Sequence, residues 1–76
     1  MDVIERLGKA FTEAKVSKPA AMEIFKHLPQ ELYEEMAEYL ENNQETDDVH
    51  AVIQLIEMRK KHHLMPKSYY EEEDDN

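Results

Sequence analysis

The chain has 76 residues and carries 18 acidic against 9 basic side chains, a formal charge of −9, with one glycine, no cysteine and no tryptophan. This length allows one small domain, and the absence of cysteine excludes disulfides, cysteine-ligated zinc and thiol nucleophiles. No apolar run approaches the roughly 18 residues that span a bilayer, and the N-terminus does not resemble a signal peptide. We therefore expect a cytoplasmic protein that does not enter a membrane.

The spacing of apolar residues predicts the first two helices, over residues 2–16 and 18–27. Asp2 and Ser17 have the positions of N-caps, and Pro19 suits the first turn of the second helix. The apolar side of these two helices is the predicted core side and consists of Val3, Ile4, Leu7, Ala10, Phe11, Ala14, Ala21, Ile24, Phe25 and Leu28.

A third helix is predicted over residues 30–42, and it separates apolar from acidic residues. Its apolar side is Leu32, Tyr33, Met36, Ala37, Tyr39 and Leu40. Its acidic face is Glu31, Glu34, Glu35, Glu38 and Glu41. Such a face either keeps a small protein soluble or binds a basic partner. One form of the second alternative is an acidic nucleic-acid mimic that blocks the basic groove of a DNA-binding protein.

The fourth helix is predicted over residues 47–65 and is apolar on two sides. We expect the larger side to face the core, with Val49, Val52, Ile53, Ile56, His63 and Leu64. The second side is the predicted stripe for self-association or partner binding, with Leu55, Met58, His62 and Met65. The alternative is a central helix that the other three helices surround.

The last part of the chain combines a basic cluster with an acidic end. The basic cluster is Arg59, Lys60, Lys61 and Lys67, and it could bind nucleic acid weakly or meet an acidic segment. Residues 67–76 are expected to be a disordered acidic tail. This tail either only solubilises the protein or acts as a short binding motif, with Tyr69, Tyr70, Glu71, Glu72 and Glu73.

The chemistry of catalytic and metal sites has little support in this sequence. No pair of histidines has the spacing that places two ligands on one helix face, so we expect no metal site. A chain of this size rarely encloses the roughly 300 Å³ pocket that an enzyme needs, and the glutamates are expected to be solvated. The sequence therefore predicts a protein without enzymatic activity or a cofactor.

Together these patterns predict an all-α fold, a compact small bundle or array of four helices over residues 1–66, followed by the flexible acidic tail 67–76. The predicted function is a small protein-binding regulator, an adaptor or inhibitor, that uses the acidic face, an apolar stripe on the last helix and the tail. Its partner is expected to be a protein with a basic surface, with homodimerisation through the last helix as a further expectation. The alternatives are the nucleic-acid mimic and a weak nucleic-acid binder that uses residues 59–67.

Overall fold

The computed structural model describes residues 2–63. This part of the chain contains four α-helices and one 3₁₀ turn and no strand, in the order α1 (Val3–Glu13), α2 (Lys18–His27), the 3₁₀ turn (Gln30–Leu32), α3 (Tyr33–Asn42) and α4 (Asp48–Lys61). The predicted all-α fold with four helices is confirmed. None of the helices in residues 2–63 has the length and hydropathy needed to cross a membrane. The predicted tail lies outside the described residues.

Side-chain caps begin three of these helices, and the caps of α1 and α2 are the two expected from the sequence. Asp2, Ser17 and Asp47 each accept a hydrogen bond from the backbone N–H three residues further along, at 2.8, 3.3 and 3.0 Å. Each bond satisfies an N–H of the first turn that has no partner within the helix. The capping residues thus define where α1, α2 and α4 start.

The predicted end of the first helix, at residue 16, is wrong. α1 ends at Glu13 because Ala14 is extended, with φ −86° and ψ −172°. The backbone N–H of Lys15 then donates to the carbonyl of Thr46 at 2.9 Å, which joins the α1–α2 connection to the segment before α4. Thr46 is buried, and its hydroxyl donates to the Asn43 carbonyl at 2.5 Å. A long-range backbone contact therefore replaces the last turn of the predicted helix.

The third and fourth helices also differ from their predicted bounds. The third begins as the 3₁₀ turn and becomes α-helical only at Tyr33. α4 ends at Lys61 rather than at residue 65, since His62 has left the helical region and His63 has a left-handed φ of 59°. A non-glycine residue in that region is uncommon and marks a break in the helix.

One cluster of buried apolar side chains connects the four helices. α1 packs mainly on α3, and α2 packs mainly on α4. Phe25 links the two pairs, because its ring centroid lies 5.5 Å from that of Phe11 and 5.7 Å from that of Tyr33. The buried apolar residues are Leu7, Ala10, Phe11, Ile24, Leu28, Leu32, Met36, Ala37, Leu40, Ala51, Leu55 and Met58.

The predicted orientation of the fourth helix is wrong, because α4 turns its other apolar side to the core. Ala51, Leu55 and Met58 are buried, with 0, 8 and 1% of their surface exposed. The side chains predicted to face the core are instead exposed: Val49 by 64%, Val52 by 41%, Ile53 by 47% and Ile56 by 43% of their surface. The two apolar sides of α4 have therefore exchanged the roles expected from the sequence.

Polar contacts at both ends of α4 explain this rotation. At the start of the helix, the Asp48 carboxylate accepts hydrogen bonds from the backbone N–H and the hydroxyl of Ser17, at 2.6 and 2.7 Å. Near its end, the Arg59 guanidinium donates to the carbonyl of His27. On a helix with 3.6 residues per turn, positions 48 and 59 lie beside Leu55 and away from Ile53. Both contacts reach α2 or its cap only when the side with Leu55 faces the core.

Candidate protein-binding surface

The exposed side of α4 carries a continuous row of large apolar side chains, the α4 stripe, defined by Val49, Val52, Ile53 and Ile56. Their spacing of three, four and seven residues places them on one face of the helix. Two further large apolar side chains of residues 2–63 are exposed, Ile4 on α1 and Met22 on α2. Single exposed apolar residues are ordinary, whereas the largest contiguous apolar patch of a monomer, roughly 300–600 Å², is often an interaction site.

The stripe predicted from the sequence does not form a docking surface. Leu55 and Met58 are buried in the core. His62 Nε2 lies 3.0 Å from Glu35 Oε1, so this side chain is engaged in a contact with α3. Met65 lies outside the described residues. The side of the last helix that was predicted to be exposed is therefore largely buried, and the exposed apolar residues of α4 lie on its other side.

Charged and polar residues surround the α4 stripe in an ordered way. Asp47 and Asp48 lie at the start of α4, and three cations occupy its last turn. Lys60 continues the line of Ile53 and Ile56 by one more turn. Glu57 and His50 are exposed along one edge of the stripe. The stripe therefore runs from an acidic end to a basic end.

The acidic face is held at one edge by α1. Arg6 makes a two-bond contact with Glu41, with Nε–Oε2 at 2.8 Å and Nη2–Oε1 at 2.7 Å, and its Nη1 lies 3.9 Å from Glu34 Oε2. The hydrogen bond with Arg6 lowers the pKa of the Glu41 carboxyl, and the same bond raises the pKa of Arg6. This edge of the acidic face is therefore partly neutralised within the domain.

The other edge of the acidic face is held by the end of α4. Glu35 accepts from Lys61 Nζ at 3.3 Å and contacts His62 Nε2 at 3.0 Å. Burial raises the pKa of Glu35, but the hydrogen bonds from Lys61 and His62 outweigh it, so the pKa lies below its ordinary value. Glu35 thus serves as the link between α3 and α4.

Between these two edges lie the carboxylates that point outward. Glu31 and Glu38 are exposed, and the Glu34 side chain is 79% exposed although it lies near Arg6. Glu31 belongs to the 3₁₀ turn rather than to α3. The five predicted residues do share one side of the molecule, but they divide into an outward group and a group engaged in ion pairs.

The predicted basic cluster is also engaged inside the domain. Arg59 donates to the carbonyl of His27, and Lys61 pairs with Glu35. Lys67 lies outside the described residues, as do the residues of the predicted tail motif, Tyr69, Tyr70, Glu71, Glu72 and Glu73. The cluster is therefore not a uniform basic surface in the part of the chain that the structure describes.

A shallow apolar groove between α1 and α2 was not anticipated from the sequence. It has a volume of about 530 Å³, and Lys18 is its one ionisable lining residue. Gly8 lies at its wall, where a Cβ would meet no atom within 4 Å. The full lining is Gly8, Phe11, Thr12, Val16, Lys18, Ala21, Met22 and Phe25. The lining offers no pair of titratable groups for acid–base chemistry.

Histidine and carboxylate side chains do not gather into a larger group. Each of His27, His50 and His62 contacts one carboxylate, and residues 2–63 hold no cluster of three or more such groups that could bind a metal ion. His50 Nδ1 lies 2.6 Å from Asp47 Oδ1, which orients its ring at the start of α4.

No known family, curated protein or solved structure matches this chain. The surfaces described above are therefore the basis on which a function is inferred.

Proposed function

We propose that this protein is a small protein-binding regulator, an adaptor or inhibitor without chemistry of its own, and that it docks on protein through the α4 stripe. The observation that carries this proposal is the exposure of four aliphatic side chains on one face of α4, by 41 to 64% of their surface. Covering such a surface returns about 25 cal/mol for each Å² removed from water.

The shape and charge of the surface favour a protein over other ligands. The stripe lies on an outward helix face, whereas small molecules need a concave site. α4 has 14 residues, so the stripe extends over at most about 20 Å, a length that another helix or a groove can cover. The net charge of −9 opposes binding to anionic membranes and to nucleic acid.

The outward carboxylates supply a second part of the proposal. Glu31, Glu34 and Glu38 give the α3 side of the molecule a negative potential that steers a basic partner toward it. The ion pairs of Glu35 and Glu41 neutralise part of this surface. Because a nucleic-acid mimic needs an array of free charges, these pairs favour the protein-binding regulator over the mimic.

Site-specific photocrosslinking in the source cells tests the proposal. A photoreactive phenylalanine analogue replaces Ile53 in one variant and Ile4 in the control, because both isoleucines are about half exposed, by 47 and 51%. We expect protein adducts from position 53 at a yield well above that from position 4. Equal yields at the two positions, or no adduct at position 53, would contradict docking through the α4 stripe.

A further inference from the structure

We infer that the α4 stripe binds the same stripe of a second copy of this chain, with the two α4 helices antiparallel. This inference rests on the proposed function and names the partner at its docking surface. In such a dimer the acidic α3 side lies outside the contact between the two α4 helices and remains open to a further partner.

The stripe is complementary to itself in the antiparallel direction. A two-fold axis between positions 52 and 53 places Val52 of one copy opposite Ile53 of the other, and Val49 opposite Ile56. β-Branched side chains have one preferred χ1 rotamer in a helix, so they lose little side-chain entropy when the contact forms. All four stripe residues are of this kind. The face is therefore suited to close helix packing at a small ordering cost.

Charge selects the antiparallel over the parallel arrangement. α4 begins with Asp47 and Asp48 and ends with Arg59, Lys60 and Lys61. Antiparallel helices place the acidic end of one copy beside the basic end of the other, whereas parallel helices place like charges together. Along one edge, the same axis brings Glu57 of one copy near His50 of the other. In the antiparallel arrangement, each end of α4 thus lies near the oppositely charged end of the other copy's α4.

The size of the stripe sets the strength of the dimer. A contact limited to four side chains of each copy buries less than the roughly 1,000 Å² typical of stable interfaces. Association also costs translational and side-chain entropy. We therefore expect a reversible dimer with a Kd of roughly 10–100 µM.

Analytical ultracentrifugation of the full chain tests self-association, from about 2 to about 500 µM. We expect the mass to rise from the 9.0 kDa of one chain toward twice that value. Ile53→Glu places a charge in the contact and should raise the Kd at least about tenfold. Ile4→Glu, at an isoleucine of similar exposure on α1, should leave the Kd unchanged. A single-chain mass at every concentration would overturn the inference.

Because the chain has no cysteine, single-cysteine variants report the direction of packing. In the antiparallel dimer, the cysteines of two Ile53→Cys chains lie near the axis and form a disulfide with each other when air oxygen is admitted as the oxidant. A sample of Val49→Cys alone or of Ile56→Cys alone stays reduced, because the two identical positions of the dimer are more than about 10 Å apart. A mixture of the two variants forms the mixed disulfide, because position 49 of one copy lies opposite position 56 of the other. If each variant couples with itself and the mixed species is absent, the antiparallel arrangement is wrong.

Photocrosslinking and ultracentrifugation together separate this inference from the proposed function. A chain that stays monomeric, while the photoreactive group at position 53 captures a different protein, refutes the second copy and leaves the proposed function standing. A monomer without any adduct at position 53 refutes both. A dimer whose adduct at position 53 has the mass of two chains supports the second copy.

Discussion

The orientation of α4 can be tested with two neighbouring residues, Leu55 and Ile56. Their side chains are isomers, both lie in the middle of one helix, and truncation to alanine removes the same number of carbon atoms from each. The sequence-based interpretation places Ile56 in the core and Leu55 on the surface. The structure has the reverse, with Leu55 8% and Ile56 43% exposed. Leu55→Ala and Ile56→Ala should therefore differ in cost.

The expected difference follows from burial. Leu55→Ala removes a buried side chain and leaves a cavity, which costs about 2.5–4 kcal/mol. Ile56 is a little more than half buried, so its truncation loses about 1 kcal/mol of transfer free energy. Replacing a β-branched residue by alanine returns about 0.4 kcal/mol of helix propensity, which leaves a net cost of about 0.5 kcal/mol. The difference is at least about 2 kcal/mol, or about 8–16 °C in Tm for a domain of this size.

Urea and thermal unfolding followed by circular dichroism measure both costs. The protein is held near 2 µM, where self-association contributes little to stability. Ile53→Ala serves as a second exposed control on the α4 stripe. If Ile56→Ala costs as much as Leu55→Ala, or more, the orientation of α4 described above is wrong.

Three further substitutions, with Thr12→Ala as a control, test the helix ends and the helix interior by urea unfolding. Gly8→Ala should stabilise the chain by about 0.5–1 kcal/mol, since the added Cβ meets no atom within 4 Å; a loss would contradict the open space at this position. Ser17→Ala removes both the cap of α2 and a bond to α4 and should cost about 1–2 kcal/mol, whereas Thr12→Ala, which removes an exposed bond within α1, should change stability by less than about 0.5 kcal/mol. The hydrogen bonds from the backbone and then the side chain of His50 lower the pKa of Asp47 below its ordinary value of 3.8. The stability that this carboxylate contributes is therefore complete above that pH and is lost as the pH falls through the lower pKa of the folded state. Asp47→Ala should reduce the loss of stability in acid, and an unchanged dependence of stability on pH in acid would refute this role of Asp47.

Helix number, caps and most of the core could be predicted because they depend on local chemistry. Asp2, Ser17 and Asp47 cap the helices that they precede, and a capping side chain acts on an N–H only two or three residues away. The apolar sides of the first three helices also supply most of the buried residues, because each of those helices has one apolar side. A single periodic pattern is then enough to decide which side is buried.

The rotation of α4 could not be predicted in the same way, because this helix has two apolar sides. The choice between them depends on Ser17, which binds Asp48 from 31 positions away, and on the carbonyl of His27, which binds Arg59 from 32 positions away. Such pairs exist only after the chain has folded, and the periodicity of one helix contains no information about them. The apolar set with Ile53 and Ile56 was therefore assigned to the core, and the exposed stripe was predicted on the side of α4 that is buried.

Acidic and basic residues lie in separate segments of the chain, and part of this charge is engaged in contacts between helices within the fold. Residues 31–48 carry eight acids and no base, and the structure sets this acidic segment between Arg6 of α1 and Lys61 and His62 of α4. These side chains hold Glu41 and Glu35 at the two edges of α3. Because each contact is partly exposed, it adds little to the stability of the fold. Lys61 and His62 contact Glu35 from the end of α4, so the acidic sequence that first suggests a binding face is also joined to the helix that carries the α4 stripe.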